Sequence, residues 1–88
     1  MYYVYILKSK QKNIFYVGYS EKPRERINYH NSSINSGWTK KYKPWICIYL
    51  EAYQSKKIAL KREKILKKKD RNWTTIMKRI NDNVGGRA

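Results

Sequence analysis

Two runs of aromatic and β-branched residues, separated by a polar hexapeptide, constrain this chain more than any other feature in it. Residues 2–7 (Tyr-Tyr-Val-Tyr-Ile-Leu) and 14–19 (Ile-Phe-Tyr-Val-Gly-Tyr) are the types that suit a pleated, half-buried surface, and each reads as a strand. The residues between them, Lys8 to Asn13, are polar and short enough for a hairpin loop. If the hairpin closes symmetrically about that loop, Leu7 faces Ile14 and Tyr5 faces Tyr16. Two phenols would then stand side by side on one face, with Cβ atoms roughly 5 Å apart. A one-residue slip would send them to opposite faces.

The remaining chain alternates helix and strand signals. Ser20 is a candidate N-cap for a helix with Pro23 in its first turn, running to about Asn31. Arg26 and His30 lie four residues apart on it and project from one side. Residues 31–37 form a polar loop. Trp38 to Pro44 mixes cations and aromatics before a third strand, Trp45 to about Glu51. Ser55 opens a long basic helix ending near Lys69, and a shorter helix covers roughly Trp73–Ile80. We expect one domain over 1–82 and a frayed tail over 83–88.

The chain has 88 residues, which suffices for one small core. A single cysteine, Cys47, excludes an internal disulfide and a cysteine-rich zinc site. Flanked by Ile46 and Ile48, it reads as a buried strand thiol. No stretch approaches the length of a membrane span. The first residues lack a cationic leader and a cleavage site, so a cytoplasmic protein is expected. The charge is more informative: 21 lysines and arginines against 6 acids give a formal net charge of +15. Folding does not require that excess, and self-repulsion opposes the compact state. A polyanion explains it better than solubility or a merely adhesive surface, and nine tyrosines with three tryptophans offer stacking surfaces for bases.

Glu63 stands out on the basic helix. Helical geometry places it between Leu60 on one side and Ala59 and Leu66 on the other, at the border of the stripe that faces the sheet. It is either a site carboxylate or an exposed partner for Lys67. Arg26 with His30 could be plain surface, and the Tyr5–Tyr16 pair could be plain packing. Their joint occurrence in this order is the stronger signal.

In that order the residues resemble the GIY-YIG nuclease family, specifically its small stand-alone members. Tyr3-Val4-Tyr5 stands where the family has Gly-Ile-Tyr, and Tyr16-Val17-Gly18 where it has Tyr-Ile-Gly. Arg26 to His30 matches an Arg-x-x-x-His element, Thr39 to Tyr49 a threonine, cation, Pro-Trp and strand stretch, and Ala59 to Glu63 an Ala-Leu-x-Arg-Glu helix. Tyr3 replaces the first motif glycine, and valines replace both isoleucines.

The resemblance implies an α+β domain, a three-stranded antiparallel sheet flanked by helices in the order β-β-α-β-α-α. It implies an endonuclease that hydrolyses DNA phosphodiester bonds with one Mg²⁺ or Mn²⁺ held by Glu63. Arg26 would clamp the phosphate, Tyr5 would orient or deprotonate the attacking water beside Tyr16, and His30 would relay a proton. Lys40, Lys41, Lys43, Lys61, Lys64, Lys67 and Lys68 would track the nucleic-acid backbone. Asn81, or failing it Asn72, would stand for the family's late asparagine. The expected partner is nucleic acid, in the first place DNA, with no membrane and no nucleotide cofactor. The alternative is a non-catalytic nucleic-acid-binding or interaction module on the same scaffold.

Overall fold

Strand β1 (Tyr2–Ser9) and strand β2 (Phe15–Ser20) pair antiparallel, and a side chain decides their register. The computed structural model describes residues 1–85, with side chains as far as Asn81. Ser9 N–H donates to the Ile14 carbonyl at 3.0 Å. Ser9 Oγ accepts from the backbone N–H groups of Gln11 and Lys12 at 3.1 and 3.2 Å. The turn therefore closes over residues 10–13, not 8–13. Tyr5 pairs with Gly18, and Tyr16 with Leu7. The expected Tyr5–Tyr16 opposition is corrected by two positions. An even shift preserves the face, so both phenols still project from the same side as diagonal neighbours, ring centroids 6.4 Å apart.

Strand β3 (Trp45–Tyr53) adds to the other side of β1, giving an antiparallel sheet of order β2-β1-β3 with an irregularity between Ile6 and Leu7. β1 is central, and Val4, Tyr5, Ile6 and Leu7 are all fully buried because both faces are covered. Val4, Ile6 and Val17 pack against Ala59 and Leu66 of α2 (Lys56–Lys67) and Ile76 of α3 (Arg71–Gly85). Tyr5, Leu7 and Trp45 pack with Ile27 of α1 (Pro23–Asn31) and Tyr42 of a 3-10 helix, Trp38–Tyr42.

Several boundaries differ from expectation for local reasons. Ser20 accepts from Lys22 N–H at 2.9 Å and is not the cap; Lys22 is, with Pro23 opening α1. Ser55 does cap α2, its Oγ accepting from Ile58 N–H at 3.3 Å. Lys69 adopts φ of 52°, which stops the helix short of it. α3 is longer than 73–80 and reaches Gly85, so the expected 83–88 tail starts within it; 86–88 lie outside the described residues. Cys47 lies in β3 but is exposed: β3 is an edge strand, and the thiol borders an open cleft beside Pro23 and Ile27 of α1.

β3 is tied to α2 by a clamp not visible in the sequence. Arg62 meets Glu51 through two hydrogen bonds, at 2.9 and 3.0 Å. Tyr49 and Tyr53 donate to the same carboxylate at 2.8 and 2.6 Å. Burial alone would raise the Glu51 pKa, but the Arg62, Tyr53 and Tyr49 hydrogen bonds outweigh it and hold it below the ordinary value. Among the described residues, no helix is long and apolar enough to cross a membrane.

Candidate active site

The site begins with a missing side chain. A Cβ built on Gly18 would lie 2.7 Å from Tyr5 Cε1, and closer still to Cζ and Oη. The Tyr5 ring thus occupies the space that any other residue at position 18 would fill. β2 is an edge strand, so this notch lets the phenol of the central strand reach toward the outer margin of the sheet.

Tyr5 Oη lies 3.4 Å from His30 Nε2. His30 is buried at the end of α1, and its Nδ1 lies 3.1 Å from Thr39 Oγ1. Asn35, also buried, donates from Nδ2 to the His30 carbonyl and to Thr39 Oγ1, both at 2.9 Å. Trp45 Nε1 donates to the Thr39 carbonyl at 2.8 Å, and the Asn31 side chain brackets the Trp45 backbone at 2.6 and 3.0 Å. The imidazole is therefore held by a loop and a 3-10 helix that are themselves fixed to β3. Tyr16 stands beside it, ring centroid 4.7 Å away.

Burial pushes the Tyr5 phenol well above its usual pKa, and neighbouring Tyr16 adds to that; Arg26 pulls it down by charge and hydrogen bonding. Burial lowers the His30 pKa, and Arg26 lowers it further, so both favour the neutral ring. Arg26 itself is exposed, with its guanidinium 5.0 Å from the Tyr29 ring centroid. It opens onto a cleft of about 660 Å³ that also borders Tyr19 and Glu25.

Glu63 arrives from the opposite layer. Its side chain is 19% exposed, and it forms an ion pair with Lys67 at 3.3 Å. Its charge nonetheless bears on both Tyr5 and Tyr19. The Tyr19 hydroxyl is buried and without a hydrogen-bond partner among the described residues. Among those residues no three His, Cys, Asp or Glu side chains cluster as a metal cage. A lone carboxylate such as Glu63 suits a hard cation that keeps water and phosphate oxygens in its shell, so its chemistry fits Mg²⁺ or Mn²⁺.

Tyr5, Tyr16 and His30 are thus in contact, and the charges of Arg26 and Glu63 reach Tyr5. The cations are less uniform than expected. Lys40 and Lys41 are exposed, whereas Lys43 donates to the Ser32 carbonyl at 3.3 Å. Lys61, Lys64 and Lys68 are exposed along α2, on the other side of the sheet, and Lys67 is paired with Glu63. Asn81 is exposed on α3 with no hydrogen bond to this cluster among the described residues, and Asn72 bonds only to Asp70. The asparagine that does join the cluster is Asn35. In the sequence it lies in an undistinguished polar loop; its one signal is its place midway between His30 and Thr39.

Comparison with known proteins identifies the family and the fold. Residues 1–81 match the model of the GIY-YIG catalytic domain. A UPF0213 protein of Staphylococcus haemolyticus is 39% identical over 70% of this chain and 74% of its own length. One from Clostridium perfringens is 36% identical over 82% of this chain and 76% of its own. The solution NMR structure of a UPF0213 protein from Bacillus halodurans superposes with a TM-score of 0.51 at 29% identity, covering 88% of this chain and 82% of that one. With the hairpin, the notch at Gly18 and the β-β-α-β-α-α order in place, the chain belongs to the GIY-YIG family, among its small UPF0213 members.

Proposed function

We propose that this protein is an endonuclease that hydrolyses DNA phosphodiester bonds with a single divalent cation at Glu63. The observation that carries the reading is the Tyr5 phenol. It lies over Gly18, contacts His30 and Tyr16, and feels charges of opposite sign from Arg26 and Glu63.

A buried phenol with a raised pKa is a poor free base near neutrality. Tyr5 therefore works as a relay. It takes a proton from the attacking water as its own passes to Nε2 of neutral His30, whose Nδ1–H is donated to Thr39 Oγ1. The 3.4 Å Tyr5–His30 separation is of the kind that tightens when substrate binds. Arg26 neutralises the non-bridging oxygens as negative charge develops on them. Tyr16 packs against both rings and keeps them in register. Mg²⁺ or Mn²⁺ held by Glu63 would polarise the phosphate and stabilise the departing oxygen.

The test is nicking of supercoiled plasmid and of flap and branched DNA with Mg²⁺ or Mn²⁺. Glu63→Gln, nearly isosteric, should abolish cleavage and leave the fold and DNA binding intact. A variant that cuts as fast as the parent would refute the single-carboxylate assignment. The Glu63–Lys67 pair supports a second reading, a binding module whose carboxylate is merely structural. Failure of the parent on every substrate with either metal would select it.

A further inference from the structure

The site has an aromatic neighbour that the hydrolytic chemistry does not use. Trp38, at the start of the 3-10 helix, is 52% exposed, unusual for the largest apolar side chain in a small domain. It is not loose. Tyr16, Tyr42 and Trp45 surround it with ring centroids at 5.9, 5.7 and 6.1 Å. All three meet it at steep angles, 59°, 68° and 86°, so none of these rings lies parallel over its face. Beneath it, Trp45 is buried and anchored to Thr39, the residue that also holds His30. The indole is thus held by three rings at steep angles, about half of its surface stays open to solvent, and it contacts Tyr16 of the candidate site. Lys40 and Lys41, both exposed, follow it in the same helical turn.

We infer that Trp38 is a stacking platform for one unpaired DNA base next to the scissile phosphate. The substrate class is therefore DNA with a single-stranded segment at the cut, not continuous duplex. A base in duplex is sandwiched by its neighbours and has no free face for the indole, whereas an unpaired base does. Lys40 and Lys41 supply the charge that holds the flanking phosphates, independent of sequence. Braced rings lose little freedom on binding, so the stacking gain is realised almost in full. The inference rests on the nuclease reading for what lies beside the base, but base binding can be measured without cleavage.

The experiment is fluorescence anisotropy in EDTA with the full chain, using labelled oligodeoxythymidine and a duplex of equal length, across a salt series. Trp38→Leu keeps apolar bulk and removes the π face; Trp38→Phe keeps a ring. Trp38→Leu should weaken the single-stranded probe roughly 5- to 100-fold, the range for losing one base–aromatic stack. Trp38→Phe should recover most of that, and duplex binding and the salt slope should be unchanged in both. Melting curves of the two variants check that each is folded. Equal weakening of both probes, no weakening of either, or identical behaviour of Trp38→Leu and Trp38→Phe would overturn the inference. Because no metal is present, these outcomes are independent of whether Glu63→Gln abolishes nicking.

Discussion

Gly18→Ala is the substitution whose outcome the structure specifies most sharply, because two effects of opposite sign can be separated. Gly18 does not have positive φ, so alanine is compatible with its backbone. In a strand that exchange removes unfolded-state freedom and by itself should stabilise by about 0.5–1 kcal/mol. Against this stands the Tyr5 ring. The new methyl would fall 2.7 Å from Cε1, where carbon pairs prefer about 3.5–4.0 Å. The ring must shift by about 1 Å, and it is fully buried against Tyr16 and His30. Overpacking of this kind costs about 1–3 kcal/mol. The net loss of about 0–2.5 kcal/mol corresponds to a melting temperature lower by up to roughly 10–20 °C in a domain of this size. Catalysis should suffer more, since a misplacement of about 1 Å can remove about two orders of magnitude in rate. The assay is thermal unfolding by circular dichroism beside plasmid nicking, repeated in a Tyr5→Ala background. There the methyl has no ring to strike, so Gly18→Ala should become neutral or stabilising. A variant that melts higher than the parent and cuts normally would refute the notch. So would an equal stability loss in both backgrounds.

Tyr5→Phe keeps the ring and its packing and removes only the hydroxyl at His30, so nicking should fall about 10²-fold with little change in melting temperature; a large stability loss with normal cleavage would make Tyr5 a packing residue. Arg26→Ala should slow cleavage by roughly 10²–10³-fold while DNA affinity falls much less, because other cations still meet phosphate; equal losses in both would make Arg26 a docking residue. Glu51→Gln should cost roughly 3 kcal/mol in urea titrations, since it leaves the Arg62 guanidinium without its counter-charge. The Glu51 pKa is lowered in the fold, so its contribution is present above the ordinary carboxylate value of about 4.3 and is lost as pH falls through the lower folded value. Stability measured against pH should show that acid-side loss in the parent and not in Glu51→Gln.

Local patterns carried much of the fold. Alternation and β-branching locate both hairpin strands, and 3.6-residue spacing brings Glu63 to the border of the buried stripe, where its half-burial agrees with Ala59 and Leu66 beside it. What escaped depends on contacts between distant segments or on single side-chain bonds. The register turned on Ser9 folding back on Gln11 and Lys12, a choice the residue types alone leave open. Asn35 and Thr39 look like ordinary loop polar residues until His30 and Trp45 enclose them. The exposure of Cys47 depends on β3 lying at the edge of the sheet, which its flanking isoleucines do not reveal. The function of Gly18 was invisible, since nothing in a Tyr-x-Gly string says which ring will lie above the glycine.

The division of the candidate site between the two faces of the sheet has a consequence for the order in which its parts are made. The hairpin and α1, complete by residue 31, carry both tyrosines, the arginine and the histidine. The carboxylate of the candidate site, Glu63, lies in α2, which packs on the other face of the sheet. A nascent chain that stalls before residue 63, or a fragment ending there, holds Tyr5, Tyr16, Arg26 and His30 without the group proposed to hold the cation. On the nuclease reading proposed above, cutting ability would appear only once the second layer closes over the first.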